Sequence, residues 1–192
     1  MEYWTLGEPQ EGEFRMRINH GGRPFWCAFD YLALHAEVVE GVEVIQRAAP
    51  DRELQTWFPS IRRGIERAVQ ALRAEGRLIV MVHVEITKIY THDLYTTERG
   101  CEYYGDAFFY SLVERQGRRI PALDPAAVEA NQTNAVRIAQ AIQDEQAFDR
   151  LAILADALED AGCTDRAVLY HCRHSSGHVG GCWVVDLVLG RG

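Results

Sequence analysis

The chain of 192 residues carries 20 Lys+Arg against 28 Asp+Glu, a formal net charge of −8, with 47% hydrophobic and 25% charged residues. That balance excludes disorder as the default and allows one comfortable core or two small ones. No run reaches the roughly 18 to 20 apolar residues that span a bilayer, and Met1–Gln10 is acidic where a secretory signal would be basic and then apolar, so a cytoplasmic protein without membrane association is expected.

Residues 1–115 hold 13 Lys+Arg against 18 Asp+Glu, and residues 116–192 hold 7 against 10. Neither part neutralises phosphates in bulk, so any RNA contact must rest on a local patch. Five cysteines, at positions 27, 101, 163, 172 and 182, make no disulfide framework and are expected to remain thiols.

In chain order, Phe14, Met16 and Ile18 alternate with Glu13, Arg15 and Arg17, the period of a strand with one buried face. His20-Gly21-Gly22-Arg23-Pro24 breaks that period as a turn. Phe25–Leu34 and Glu37–Gln46 read as two further strands, the latter with a bulge near Gly41, and the three are expected to be antiparallel in meander order. Ile61, Ile65, Ala68, Val69 and Leu72 mark an amphipathic helix that begins near Pro59 and stops at Gly76. Leu78–Ile89 follows as one long strand, and Thr97–Glu114 as a second helix. The order is β-β-β-α-β-α, an α+β fold with a three- to four-stranded sheet and two helices.

Gly117–Pro125 reads as a boundary, dividing the chain into an α+β domain of residues 1–116 and a helical C-terminal module of residues 117–192. Helices are expected over Ala126–Ala147, Phe148–Ala161 and Asp165–Cys172, with Asp149 or Thr164 as caps. The segment 180–189 reads equally as a buried helix turn or a strand. The module is expected to be a helical appendage packed on the domain through Leu151, Leu154, Leu158, Leu169 and Trp183.

Three stretches carry a family resemblance: His20-Gly21-Gly22-Arg23 after the first strand, Pro59-Ser60-Ile61-Arg62-Arg63-Gly64-Ile65-Glu66-Arg67-Ala68, and His92-Asp93-Leu94-Tyr95-Thr96-Thr97-Glu98. In their order and spacing they resemble domain IV of translation elongation factor G over residues 11–115. That family continues its first loop as Gly-Gln-Tyr-Gly-His-Val, whereas Pro24-Phe25-Trp26-Cys27 stands here. The tail also resembles a short module found at the C-termini of bacterial proteins, with no activity attached to it.

The resemblance implies a wedge whose loop tips reach the ribosome or ribosomal RNA, with His20, Gly21, Gly22 and Arg23 in one tip and His92 and Asp93 in the other. The other reading is an adaptor for a protein partner that keeps only the shape of the domain. No Gly-x-x-x-x-Gly-Lys-Ser/Thr sequence occurs, so no nucleotide is expected to bind this chain. No nucleophile with a base, paired catalytic carboxylates or cofactor motif stands out, and a non-catalytic protein is expected.

Other candidates have plainer readings. Phe25, Trp26, Phe29, Tyr31, Trp57 and Phe58 suggest a base-stacking platform or, more simply, core. Glu98, Glu102 and Asp106 at helical spacing suggest a carboxylate site or a solvated helix face. Cys163, His171, Cys172, His174, His178 and Cys182 offer zinc ligands, but without a Cys-x-x-Cys pair the expectation is buried thiols and imidazoles with no bound metal and no cofactor.

Overall fold

The computed structural model describes residues 2–20, 23–36, 41–47, 52–121, 125–174, 178 and 181–191, with side chains described at these positions except 17–20, 23–24 and 125–133. The strands are β1 (Glu2–Leu6), β2 (Gln10–His20), β3 (Arg23–His35), β4 (Val42–Gln46), β5 (Arg77–Ile79), β6 (Val82–Tyr90) and β7 (Gly117–Arg119). The helices are α1 (Arg52–Ala74), α2 (Glu98–Gln116), α3 (Pro125–Glu145), α4 (Leu151–Asp160), α5 (Arg166–His174) and α6 (Trp183–Val188), with a 3-10 turn at Phe148–Arg150. Among the described residues, no helix is long and apolar enough to cross a membrane.

The fold is α+β. A four-stranded sheet has the order β2-β3-β6-β4, antiparallel except for β4, which runs parallel to β6; β6 takes the place beside β3, so the expected antiparallel meander stops after two strands. The run β2-β3-β4-α1-β6-α2 contains the β-β-β-α-β-α order read from the sequence, with β5 inserted before β6. A three-stranded sheet of order β5-β1-β7 was not read from the sequence, because its strands are short and two of them, β5 and β7, have only three residues each. The chain divides into two compact units: Trp4–His35 with Gly41–Arg118, and Met1–Tyr3 with Ala36–Glu40 and Arg119–Gly192.

In the larger unit the alternation of β6 sets the core. Val82, Val84 and Ile86 are buried on one face, and then the register with β3 slips between Asp30 and Tyr31, so that the next buried residue is Ile89. A β-bulge accounts for that change of parity, since one extra residue moves every later side chain to the other face. Phe29 of β3 and Phe108 of α2 meet edge to face at 5.1 Å, with Phe14 and Tyr31 against the same Phe108 ring. Phe29 and Phe58 are buried, and Phe25, Tyr31 and Trp57 pack against the core, so these aromatics serve packing rather than an exposed stacking surface.

Two readings are corrected here. The first helix begins at Arg52, and Pro59 lies inside it. Proline costs a helix one backbone hydrogen bond, but Leu54 and Phe58 extend the buried stripe of Ile61, Ile65, Ala68 and Leu72 one turn back at each step, and their burial outweighs the lost bond. The expected single strand from Leu78 to Ile89 is two strands in different sheets. Met81 stands between them with φ of 57° and no exposed surface, so its packed side chain holds a left-handed backbone that an unbranched residue rarely adopts.

α1 and α2 cross at two glycines. A Cβ at Gly64 would lie 2.0 Å from the Glu102 carbonyl oxygen, and a Cβ at Gly105 would lie 2.1 Å from that of Ile61. The close approach brings Arg63 within 2.7 Å of Glu102 and Arg67 within 3.2 Å of Asp106. The helix face read as solvated is therefore split: Glu98 is 80% exposed, while Glu102 and Asp106 are 28% and 27% exposed and paired across the crossing. Such half-exposed pairs contribute about 1 kcal/mol or less each, so the crossing rests on contact rather than charge.

In the smaller unit α3, α4, α5 and α6 bury Ala139, Ile142, Leu151, Leu154, Leu158, Val168 and Val184 against one another. Leu169 is half-buried, unlike the other four residues expected to anchor this module. Asp165 accepts from the amides of Ala167 and Val168 and so caps α5, in place of Thr164. Segment 183–188 is helix, resolving the open choice. Tyr3 packs on Trp183 at 5.5 Å, and its burial, with Asp186 and Cys182 nearby, pushes the phenol up to about 12.

Replacing Gly105 by Ala is expected to lower stability by about 3 kcal/mol or more, since the clash is with backbone and the helices must part. Gly41→Ala, where an added Cβ meets nothing within 4 Å, is expected to change stability by less than about 0.5 kcal/mol. Urea unfolding of both variants checks this, and equal midpoints would contradict the crossing.

Candidate functional site

The loop residues singled out by sequence lie at one end of the four-stranded sheet. β2 and β3 are paired from Gln10↔Ala33 to His20↔Arg23, so His20 and Arg23 face each other as the last pair of a hairpin. Gly21 and Gly22 lie outside the described residues, as do the side chains of His20 and Arg23.

The second tip follows β6. Thr91 continues from the strand, and residues 92–96 form a turn closed by amides of Tyr95 and Thr96, which both donate to the His92 carbonyl at 2.9 Å. Thr96 holds this turn twice, because its hydroxyl accepts from the His92 amide at 2.8 Å and donates to the Trp26 carbonyl at 2.9 Å. The Trp26 amide donates to the Tyr95 carbonyl at 3.3 Å. The turn is thereby stitched to β3 three pairs back from the hairpin end, since Trp26 faces Arg17. At strand rise, the hairpin projects about 10 Å beyond that level. The structure thus brings His92 and Asp93 to the same end of the sheet as His20 and Arg23, on a separate and lower step.

Polar and apolar groups alternate on this step. The Leu94 amide donates to Nδ1 of His92 at 3.3 Å, which leaves the ring proton on Nε2 in the neutral form, and the ring stacks on Tyr95 at 4.5 Å. His92 and Asp93 are exposed. Leu94 is 78% exposed, the most exposed large hydrophobic side chain among the described residues. The sequence reading passed over it. Its signal is a large apolar residue inside a turn otherwise made of His, Asp, Tyr and Thr.

This end is braced from behind. Thr97 caps α2 by accepting from the Gly100 amide, and the Tyr104 hydroxyl donates to the Phe25 carbonyl at 2.7 Å. Gly100 leaves room for Phe25, whose ring carbon would come within 3.2 Å of an added Cβ. The helix start, the first residues of β3 and the turn are therefore one fixed assembly carrying polar donors, a carboxylate and an apolar side chain outward. Such a surface can bind, orient and discriminate a partner.

The Cys and His candidates of the C-terminal unit separate into two groups. His171, His178 and Cys182 come together, with one ligand atom from each within 4.8 Å of the others. His174 is exposed and stacked on Tyr170 at 3.9 Å. Cys163 is half-buried, and burial pushes both its thiol and that of Cys172 up, so neither is a ready thiolate. No disulfide links any of the five cysteines.

Thr96→Val removes the hydroxyl that serves both sides of the turn while keeping its shape. Stability is expected to fall by about 1–2 kcal/mol, with faster hydrogen exchange at the amides of Trp26 and His92, and Thr96→Ser is expected to restore most of both. Unchanged exchange in Thr96→Val would contradict the stitching role.

No protein-family model matches the chain, and no curated protein matches it. Among solved structures it is similar to a protein from Thermus thermophilus, with a TM-score of 0.48 and 13% sequence identity over 62% of this chain. The matched region is 18% of that protein's length, so this chain corresponds to a small part of it.

Proposed function

We propose that the chain is a non-catalytic recognition module that meets the ribosome or another translation component through the hairpin end at His20–Arg23 and the turn at His92–Leu94. The carrying observation is Leu94, 78% exposed on a turn whose backbone is hydrogen-bonded to β3 and to itself. A large apolar side chain held rigidly in water loses little entropy when a partner covers it, and so contributes more to binding than a mobile one. The three ordered sequence matches to elongation factor G domain IV support a translation partner over an arbitrary one.

Charge shapes the expected contact. With 13 Lys+Arg against 18 Asp+Glu in residues 1–115, this region gains little from displacing counterions, so recognition rests on shape, on the His92 and Arg23 donors and on Leu94. The same acidity and the apolar Leu94 favour, as the second reading, an adaptor that binds a protein surface. On either reading the chemistry of the tip is contact, and no reaction is assigned to it.

Co-sedimentation of tagged protein with ribosomes through sucrose gradients tests the first reading. The wild type is expected in ribosomal fractions at low salt, and the His92→Ala, Arg23→Ala variant and a Leu94→Ser variant are each expected to bind roughly tenfold more weakly. Absence of the wild type from those fractions would contradict it. Protein partners that survive nuclease treatment and are lost with Leu94→Ser would favour the adaptor.

A further inference from the structure

In the C-terminal unit, His171 of α5, His178 and Cys182, the residue preceding α6, converge. His171 is fully buried, Cys182 is 2% exposed and His178 is half-buried. Nε2 of His171 lies 3.0 Å from Nε2 of His178 and 3.2 Å from Sγ of Cys182. The donor atoms of two imidazoles and a thiolate around one tetrahedral zinc stand roughly 3.3–3.6 Å apart, given the usual zinc–nitrogen and zinc–sulfur bond lengths. The two distances from His171 are within a few tenths of an ångström of that geometry, and all three ligand atoms lie within 4.8 Å of one another.

The tautomer of His171 follows from its indole neighbour. The Trp183 indole donates to Nδ1 of His171 at 3.2 Å, so in the metal-free form the single ring proton of a neutral His171 is on Nε2. That proton points to the side on which His178 Nε2 lies at 3.0 Å and Cys182 Sγ at 3.2 Å.

We propose that Nε2 of His171, Nε2 of His178 and Sγ of Cys182 bind one zinc-class divalent cation, with a water completing the tetrahedron from the half-buried His178 side. Two imidazoles and a thiolate are a borderline-soft set suited to zinc. On binding, the Cys182 thiol loses its proton to solvent, and the His171 ring proton moves to Nδ1, ending its bond from Trp183. The Trp183–His171 bond and the hydrogen bonding among the three ligand atoms are exchanged for three coordinate bonds, and the Trp183 indole turns away from the protonated Nδ1. The ion ties α5, the segment carrying His178 and α6 together, a structural role suited to buried ligands. The sequence expectation of no metal rested on the missing Cys-x-x-Cys pair, which a site assembled from a helix, a loop and a helix start does not require.

Protein purified without chelator and analysed for metals is expected to hold about one zinc per chain. Chelator-treated protein, titrated with cobalt chloride, is expected to develop a thiolate-to-cobalt absorption band together with a change in tryptophan emission, and its melting temperature is expected to rise when zinc chloride is restored. His178→Ala, a half-buried change whose folding is verified by circular dichroism, is expected to lose the ion, and Cys163→Ser to keep it. Failure of the chelator-treated wild type to bind zinc or cobalt would overturn the proposal. So would zinc retained at full occupancy by folded His178→Ala, and copper bound with no zinc would overturn the choice of metal.

Discussion

The arrangement of the larger unit depends on the close backbone approach of α1 and α2, where Gly64 lies against Glu102 and Gly105 against Ile61. Two helices that meet through side chains keep their axes about 8–10 Å apart, whereas glycine at both crossing points lets carbonyl oxygens enter the space that Cβ atoms would fill. Everything on the far side of α2 takes its position from that approach. Phe108 reaches the Phe14, Phe29 and Tyr31 rings only because α2 lies at this depth, and the Arg63–Glu102 and Arg67–Asp106 pairs form as a consequence of it.

The consequence reaches the loop end through a short chain of contacts. α2 carries Tyr104, one residue before the crossing glycine, and the Tyr104 hydroxyl holds the Phe25 carbonyl. The next residue, Trp26, takes both of its backbone bonds from the turn, one to Tyr95 and one from Thr96. The position of Leu94 is thus connected to the helix crossing by covalent neighbours and three hydrogen bonds. A turn built this way is pre-organised by the core together with its own Thr96, which is how a segment with one exposed leucine stays ordered in water.

Much of this was legible in the sequence where period and punctuation agree. The stripe from Ile61 to Leu72, the alternation of β2, the stop at Gly76 and the start of the second helix near Thr97 are local signals, and the elements stand where those signals put them. The order of these elements along the chain followed from the same signals, but the insertion of β6 between β3 and β4 did not. What was not legible depends on partners distant in sequence. Pro59 inside α1 is decided by the burial of Leu54 and Phe58, and the break at Met81 by the assignment of β5 and β6 to different sheets, neither of which a window of neighbouring residues contains. His92 and Asp93 were found through motif resemblance, while Leu94 was hidden because hydrophobicity alone assigns leucine to a core. The C-terminal ligands were visible as residue types, and their separation into a converged set of three and a scattered set of three required the fold.

The central claim, that the turn at Leu94 is the surface that meets a partner, is tested most directly by placing a photoreactive amino acid at position 94 and, as a control, at the exposed position of Ile153 in α4. Irradiation in cells is predicted to give one discrete crosslink to a ribosomal RNA segment or a translation protein from position 94, and none of matching identity from position 153. Equal, indiscriminate crosslinking from both positions, or none from position 94 in protein that is folded and abundant, would contradict the account.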